Sequence, residues 1–322
     1  MGLGFPALPR QLRRAASTAI LRRAGLCEIA AHPAAAVDRS DACPARALRM
    51  TFSLPDYLAR IGLDRIDASA DGLDALVKAQ MASIPFENIE PLLGTVPDLS
   101  PQALWRKLVT ERRGGYCMEQ NALLGEALDA LGFAARPFLG RVRLGAPTGR
   151  QRSHYAWIVD LGGREFLADA GFGGPGAHGI VPLDGAGAEH AVGGRTFRLR
   201  ADDATGETVL ERLQPEGWFA LYGFDRVPVT THDVEAANFV CARWEKSPFP
   251  AHLMLSLHRD GGRAAMFDTA LTLESAAGVE RRTLDSTDEF AAVLDGVFGL
   301  QLDRVTADAV WSRIGGSLSD AA

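Results

Sequence analysis

The sequence predicts an α+β protein, with a helical N-terminal region, a β-rich middle and a closing helix. Three observations carry this. Apolar residues recur at helical spacing from residue 53 to Gly132, behind serine and proline start signals. Beyond Gly132 the period changes to two. Ser286 with Glu289 then gives a capping-box signal ahead of a last amphipathic run. The 322 residues, 47% apolar and 23% charged, suffice to bury a core of globular type.

In chain order, Ser53, Pro55, Asp56 and Gly62 frame a short helix with Leu54, Leu58 and Ile61 on one face. Leu73, Leu76 and Val77 mark a second helix ending near Ser83, and Ser100-Pro101 opens a third carrying Leu104 and Leu108. A fourth helix begins near Cys117, with Leu124, Leu128 and Leu131 on one stripe and Gly132 as its stop. Strands follow: one with Phe138, Val142 and Leu144 on one face, one with Trp157 and Val159, and others at 206 to 213, 217 to 223, 251 to 258 and 264 to 273. The closing helix runs through Phe290, Val293, Leu294 and Val297, and there is no internal repeat.

Residues 1–49 differ. Arg10, Arg13, Arg14, Arg22 and Arg23 precede the first acidic residue, Glu28, and an Ala/Pro-rich stretch follows that cannot pack a core alone. An Arg-rich, acid-poor start can mimic a transit peptide. Because Met50 directly precedes the first convincing helix, a disordered extension or an over-long start is the favoured reading.

Composition excludes several functions. The net charge of -6 comes without a Lys/Arg stripe, so no nucleic-acid partner is expected. No window offers the roughly 20 apolar residues of a membrane span, and a soluble protein without a membrane partner is expected. Cys27, Cys43, Cys117 and Cys241 form no C-x-x-C pair, which argues against a zinc site and a redox dithiol and for a reducing, cytoplasmic setting. Three of these thiols, Cys27, Cys43 and Cys241, are expected to be inert.

Cys117 differs by position. The run Arg113-Gly114-Gly115-Tyr116-Cys117-Met118-Glu119-Gln120-Asn121 puts it at a helix N-terminus, where unpaired N–H groups favour a thiolate, and the two glycines would let a substrate approach. A buried cysteine in the first turn of a core helix fits this run equally well. The balance shifts with two further segments, His154-Tyr155-Ala156-Trp157-Ile158-Val159-Asp160 and Glu165-Phe166-Leu167-Ala168-Asp169, which flank Leu161-Gly162-Gly163-Arg164. Gly-Gly suits a two-residue hairpin turn. In that register His154 lies opposite Gly171 and Asp169 opposite Ala156, so both side chains share a face on a diagonal of about 7 to 8 Å. A one-residue slip would separate them. Asp169 could then orient His154 as a base, although a surface histidine beside a turn aspartate would leave the same pattern.

These residues resemble the arylamine N-acetyltransferase family over roughly 51 to 260, with weaker similarity beyond. The resemblance rests on Asp56-Tyr57-Leu58-Ala59-Arg60-Ile61-Gly62, Ile84-Pro85-Phe86-Glu87-Asn88-Ile89, the Cys117 motif, the His154 strand, Asp169-Ala170-Gly171-Phe172-Gly173, and Ser247-Pro248-Phe249 after Asn238. It implies a helical bundle with the catalytic cysteine (50–132), a β-barrel with the catalytic His and Asp (133–245) and a C-terminal α/β lid (246–322), around a cysteine-protease-like core. It further implies a xenobiotic-metabolising transferase, with acetyl-CoA as co-substrate and no metal. The acetyl group would pass through Cys117, with His154 and Asp169, to an arylamine, arylhydrazine or N-hydroxyarylamine by a ping-pong route. Phe86, Phe172 and Phe249 would line the acceptor pocket, and Glu87 and Arg113 would form a buried pair supporting the cysteine loop. Another acyl-CoA donor, or a cysteine hydrolase or transglutaminase-like enzyme, would fit the same triad, and a binding protein that uses no thiol chemistry would fit the fold.

There are departures. Gln80 stands where many relatives have histidine, Met118 where an aromatic often follows the cysteine, and Ala242 to Lys246 differs from the usual Ser/Thr-rich stretch near the coenzyme. Gly171-Phe172-Gly173-Gly174-Pro175-Gly176 fits a dinucleotide-binding pattern, but Pro175 and the residues after it open no helix, so it reads as a mobile glycine loop with His178 a loop residue. The sequence is silent on oligomeric state.

Overall fold

The computed structural model describes residues 52–185, 187–259 and 261–315. The expectations for residues 1–49, with Cys27 and Cys43, lie outside them.

The first helices begin and end where their capping residues dictate. In α1 (Leu54–Ile61) Ser53 accepts from the Asp56 N–H, and Gly62 turns left-handed at φ 75°. Helix α2 (Ala70–Ser83), capped by Ser69, buries Leu73, Leu76 and Val77. After strand β1 (Phe86–Glu87) and the single turn α3 (Ile89–Leu92), Ser100 caps α4 (Pro101–Leu104). That helix does not stop at Leu104: it widens into i→i+5 turns over Trp105–Thr110, still burying Leu108. Helix α5 (Cys117–Ala130) packs Leu123, Leu124 and Leu128 into this core, and Gly132 releases the chain at φ 76°. Buried Arg60 ties three ends together, donating to the carbonyls of Ser83, Leu108 and Arg112.

Eight antiparallel strands follow: β2 (Ala134–Val142), β3 (Arg152–Leu161), β4 (Arg164–Ala168), β5 (Val181–Pro182), β6 (Glu189–Val192), β7 (Arg195–Asp202), β8 (Glu207–Gln214) and β9 (Gly217–Phe224). Their order is β5-β4-β3-β2-β9-β8-β7-β6, and the two edge strands approach each other, so the sheet curls nearly into a barrel. Phe138, Ile158, Leu167, Phe197, Leu210 and Leu221 fill its inside. One expectation fails here. Leu144 is not in the strand with Phe138 and Val142; β2 ends at Val142, and Leu144 turns out to solvent at φ 46°, because a bulge after Gly140 has already broken the alternation.

Helix α6 (Thr231–Arg243), capped by Thr230, leads into β10 (Met254–Arg259), β11 (Gly262–Phe267), β12 (Ala270–Ser275) and β13 (Gly278–Thr283). The single strand expected at 264 to 273 is two, β11 and β12, paired Phe267 to Ala270 across a tight turn in which Asp268 adopts φ 48°. The expected closing helix, α7 (Thr287–Val293), is capped by Ser286, but Glu289 reaches back to the Asp285 N–H, and α8 (Arg304–Ile314) follows it. This second sheet has the order β1-β10-β11-β12-β13. Its edge strand β1 and its core residues Ile89 and Leu92 come from the N-terminal half of the chain.

Candidate active site

The β3–β4 hairpin has the register read from its turn. Leu161 pairs with Arg164 and Trp157 with Ala168, and both glycines of the turn have positive φ, 67° and 92°. His154 and Asp169 consequently face the same side, with His154 Nε2 2.7 Å from Asp169 Oδ2. Three more groups hold this carboxylate. Tyr222 donates its hydroxyl at 2.9 Å from β9, Asn121 donates its amide at 3.0 Å from α5, and the Gly171 N–H donates at 3.0 Å. Asn121 also accepts from the Ala170 N–H and donates to the Tyr155 carbonyl, stitching α5 to the hairpin. Neither Tyr222 nor Asn121 was among the expected site residues; Asn121 lay four residues beyond Cys117, one helical turn along the same face.

That stitch brings Cys117 to His154. With Nε2 committed to Asp169, Nδ1 is the ring atom left for the thiol, and the two side chains line one cavity, near enough for each to shift the titration of the other. The Cys117 thiol also points at the Ser153 carbonyl, 3.7 Å away. Gly171 passes so close that a Cβ there would lie 2.8 Å from the Cys117 Cα and 2.7 Å from Asn121 Nδ2.

The cysteine loop is anchored by buried charge. Glu87 meets Arg113 at 2.7 Å and accepts from the Ile89 N–H. Lys107 meets Glu119 at 2.7 Å, and the other Glu119 oxygen accepts from the Tyr116 N–H at the helix start. Gly114 and Gly115 do not open a path for substrate. A Cβ on Gly114 would strike the Pro85 carbonyl at 2.2 Å, and one on Gly115 the Glu119 side chain at 2.8 Å, so their smallness serves this packing. Gln80 is wholly buried between Tyr57, whose hydroxyl it accepts, and Gln120, which in turn donates to the carbonyls of Ile84 and Pro85.

Cys117 and His154 open onto a cavity of about 430 Å³. Phe86, Phe172 and Phe249 all line it. Phe249 sits 6.2 Å from Phe86 and edge-on to Tyr116, and Phe172 lies edge-on to His154 at 5.0 Å. Phe86 arrives on β1 and Phe249 is fixed by Asn88, which donates to the carbonyls of Phe249 and His252 and accepts from the Met254 N–H. Three cations also line the cavity. Arg143 is committed to Asp202 and Glu207, whereas Arg150 and Lys246 form no ion pair among the described residues. The glycine loop opens no helix, and His178 stacks on His258 at 4.8 Å. Cys241, expected to be inert packing, lines the cavity beside Cys117.

Protonation follows from burial and partners. Burial pulls His154 down, but the Asp169 carboxylate and its hydrogen bond outweigh it and, with Cys117, raise the imidazole above its usual range. Burial pushes Asp169 up, but the charge and hydrogen bond of His154, with those of Asn121 and Gly171, hold it below the usual carboxylate range. Cys117 departs from its expectation: a hydrogen bond with Cys241 and then burial push the thiol up, against the pull of His154. A helix start contributes about 2 kcal/mol at most, less than burial costs a charge. The thiolate is therefore formed in company with the imidazolium, and thiol and imidazole titrate as one unit.

Known proteins resemble this chain along most of its length. A family model described as N-acetyltransferase matches residues 69–307. The chain is 35% identical over 278 residues to an arylamine N-acetyltransferase of Mycolicibacterium smegmatis, covering 82% of this chain and 98% of that one. It is 34% identical over 258 residues to an arylamine N-acetyltransferase of Escherichia coli (strain K12), covering 79% and 91%. It also superimposes on the solved structure of the Mycobacterium marinum arylamine N-acetyltransferase in complex with CoA, with a TM-score of 0.75 at 32% identity over 81% of this chain and 99% of that one.

Proposed function

Because the chain belongs to the arylamine N-acetyltransferase family, we propose that it moves an acetyl group from acetyl-CoA to an aromatic amine, hydrazine or N-hydroxyarylamine through Cys117. One observation carries the reading: a thiol, an imidazole and a carboxylate in series at the wall of a cavity lined by three phenylalanines.

Each residue then has a task. His154 takes the Cys117 proton, and Asp169 stabilises the imidazolium so formed. The Cys117 sulfur attacks the thioester carbonyl, a new C–S bond forms, the bond to CoA sulfur breaks, and the leaving thiolate takes the proton from His154. The amine then attacks acetyl-Cys117 while His154 accepts its proton, and the Cys117 sulfur leaves. Phe86, Phe172 and Phe249 offer apolar faces to a flat aryl ring. Arg150 and Lys246 offer charge to the phosphates of the donor, in place of the Ser/Thr-rich stretch that this chain lacks. The ion pair of Glu87 and Arg113 serves the cysteine loop from behind. The reading places the reaction in the cytoplasm, where acetyl-CoA and reduced thiols coexist, with foreign aromatic amines as acceptors; among the described residues no helix is long and apolar enough to cross a membrane.

A donor-by-acceptor activity screen tests it, with acetyl-, propionyl- and malonyl-CoA against arylamines, arylhydrazines and water, beside a Cys117→Ala control. Turnover with acetyl-CoA and an arylamine, absent from the control, is expected. Turnover to water alone would instead support a hydrolase.

A further inference from the structure

We propose that Cys241 is a resolving thiol for Cys117, so that a hydroperoxide converts the pair into a reversible disulfide that closes the site to acyl chemistry. This rests on Cys117 being the reactive thiol of the reading above.

Cys241 has no part in acetyl transfer, yet it is held against the residue that does. It lies near the end of α6, and Cys117 is the first residue of α5. Both sulfurs address one acceptor, the Ser153 carbonyl, at 3.3 Å from Cys241 and 3.7 Å from Cys117. Both sit in the cluster formed with Tyr116, Phe86 and Tyr155, 1% and 4% exposed. Both also line the catalytic cavity, so a reagent small enough to enter meets the two thiols together. Neither is in a disulfide. An inert structural cysteine is sealed in apolar packing away from reactive groups. Cys241 instead shares the Ser153 carbonyl with Cys117 and opens with it onto the cavity that His154 also lines. The arrangement is that of a low-exposure thiol pair assembled from distant parts of the chain, which no C-x-x-C spacing could reveal.

The chemistry balances with a hydroperoxide as oxidant. The Cys117 sulfur, its proton passed to His154, attacks the terminal peroxide oxygen; an S–O bond forms, the O–O bond breaks, and the leaving oxygen takes the proton. Cys117 is oxidised to a sulfenic acid and the peroxide is reduced to water or an alcohol. The Cys241 sulfur then attacks the Cys117 sulfur, an S–S bond forms, and hydroxide leaves with the Cys241 proton as water. An external thiol reverses the bond by exchange. Without a neighbour, the sulfenic acid meets a second hydroperoxide, which oxidises it to the sulfinic acid and is itself reduced to water or an alcohol; thiols do not reverse that step. Cys241 would thus trade permanent loss of the nucleophile for a temporary one.

The test uses the full chain. Wild-type protein is exposed to a small excess of hydrogen peroxide without acetyl-CoA, alkylated and mapped under non-reducing conditions. The expected result is an intact mass lower by two hydrogens, a cross-linked peptide pair joining Cys117 to Cys241, no uptake of an acetyl group, and full return of uptake after dithiothreitol. In Cys241→Ser and Cys241→Ala, each referred to its own untreated sample, dithiothreitol should fail to restore uptake and Cys117 should carry sulfinic acid. The proposal is overturned by sulfinic acid on wild-type Cys117 without the cross-link, by Cys117 joined to Cys27 or Cys43 in its place, or by equal recovery in wild type and both variants. The cross-link is read without any acyl donor, so it would stand even if acetyl-CoA proved not to be the substrate.

Discussion

At the scale of single residues, the candidate site depends on how many partners hold one carboxylate. Asp169 accepts from His154, Asn121, Tyr222 and the Gly171 N–H, and with its charge it outweighs burial to keep His154 basic. Replacing it by Asn keeps the shape but removes the charge and permits the wrong histidine tautomer. Asp169→Asn should lower the rate of Cys117 acetylation by roughly 10³–10⁴-fold, by comparison with the serine triads. Tyr222→Phe removes one donor and leaves the charge, so its loss should stay within about tenfold, matching a net hydrogen bond of about 1 kcal/mol. Rapid-mixing measurements of the acetylation step separate the two; equal losses would mean that Tyr222 does more than hold the carboxylate. The helix start at Cys117 and the shared face of His154 and Asp169 were legible because caps and hairpin register are local, whereas the approach of the thiol to the other two was implied only by the family resemblance. Tyr222 was not, since its place opposite Asp169 depends on how β9 reaches β3 through β2, which no short window encodes.

At the scale of elements, the site is a junction between the start of α5 and the end of β4. Asn121 bonds the two, and Gly171 lets them touch. Gly171→Ala would place a methyl group 2.8 Å from the Cys117 Cα, and the chain must move apart by several tenths of an ångström to admit it. Because such displacement separates thiol from imidazole, kcat should fall at least about tenfold while KM for the acceptor changes little. The aromatic wall should be spared. Steady-state kinetics with thermal unfolding as a fold control reads this, and an unchanged kcat would show that the junction has slack. Helix ends and hairpin turns could be read from sequence because Ser, Pro and Gly act locally. The two-residue strand β1 could not, and with it went the reason Phe86 meets Phe249: Phe86 pairs with Ser256 across 170 positions of chain.

At the scale of the whole molecule, the second sheet closes the aromatic wall but carries an acid weakness. His258 on β10 is buried against His178; burial first, then His178, Arg263 and Arg195, lowers its pKa to about 3 against the opposing pull of Glu274. The folded chain therefore keeps it neutral while the unfolded chain protonates near 6.5. Its contribution is complete above about pH 6.5 and drains away as pH falls toward 3, amounting to about 2 kcal/mol by pH 5. Urea unfolding from pH 7 to pH 4.5 should show a shallower fall for His258→Gln than for wild type. Parallel curves would place the acid sensitivity elsewhere. The order of helices, strands and helices was legible from the change of period at Gly132, but the exchange of β1 and α3 into the later sheet was not, because a chain-order reading assigns each segment to its sequence neighbours. The most direct test of the central claim is the intact mass of the protein mixed with acetyl-CoA alone, followed by peptide mapping. One acetyl group on Cys117, persistent in buffer and discharged by an arylamine, is the predicted result; a folded protein that takes up no acetyl group, or carries it on another residue, would contradict the account.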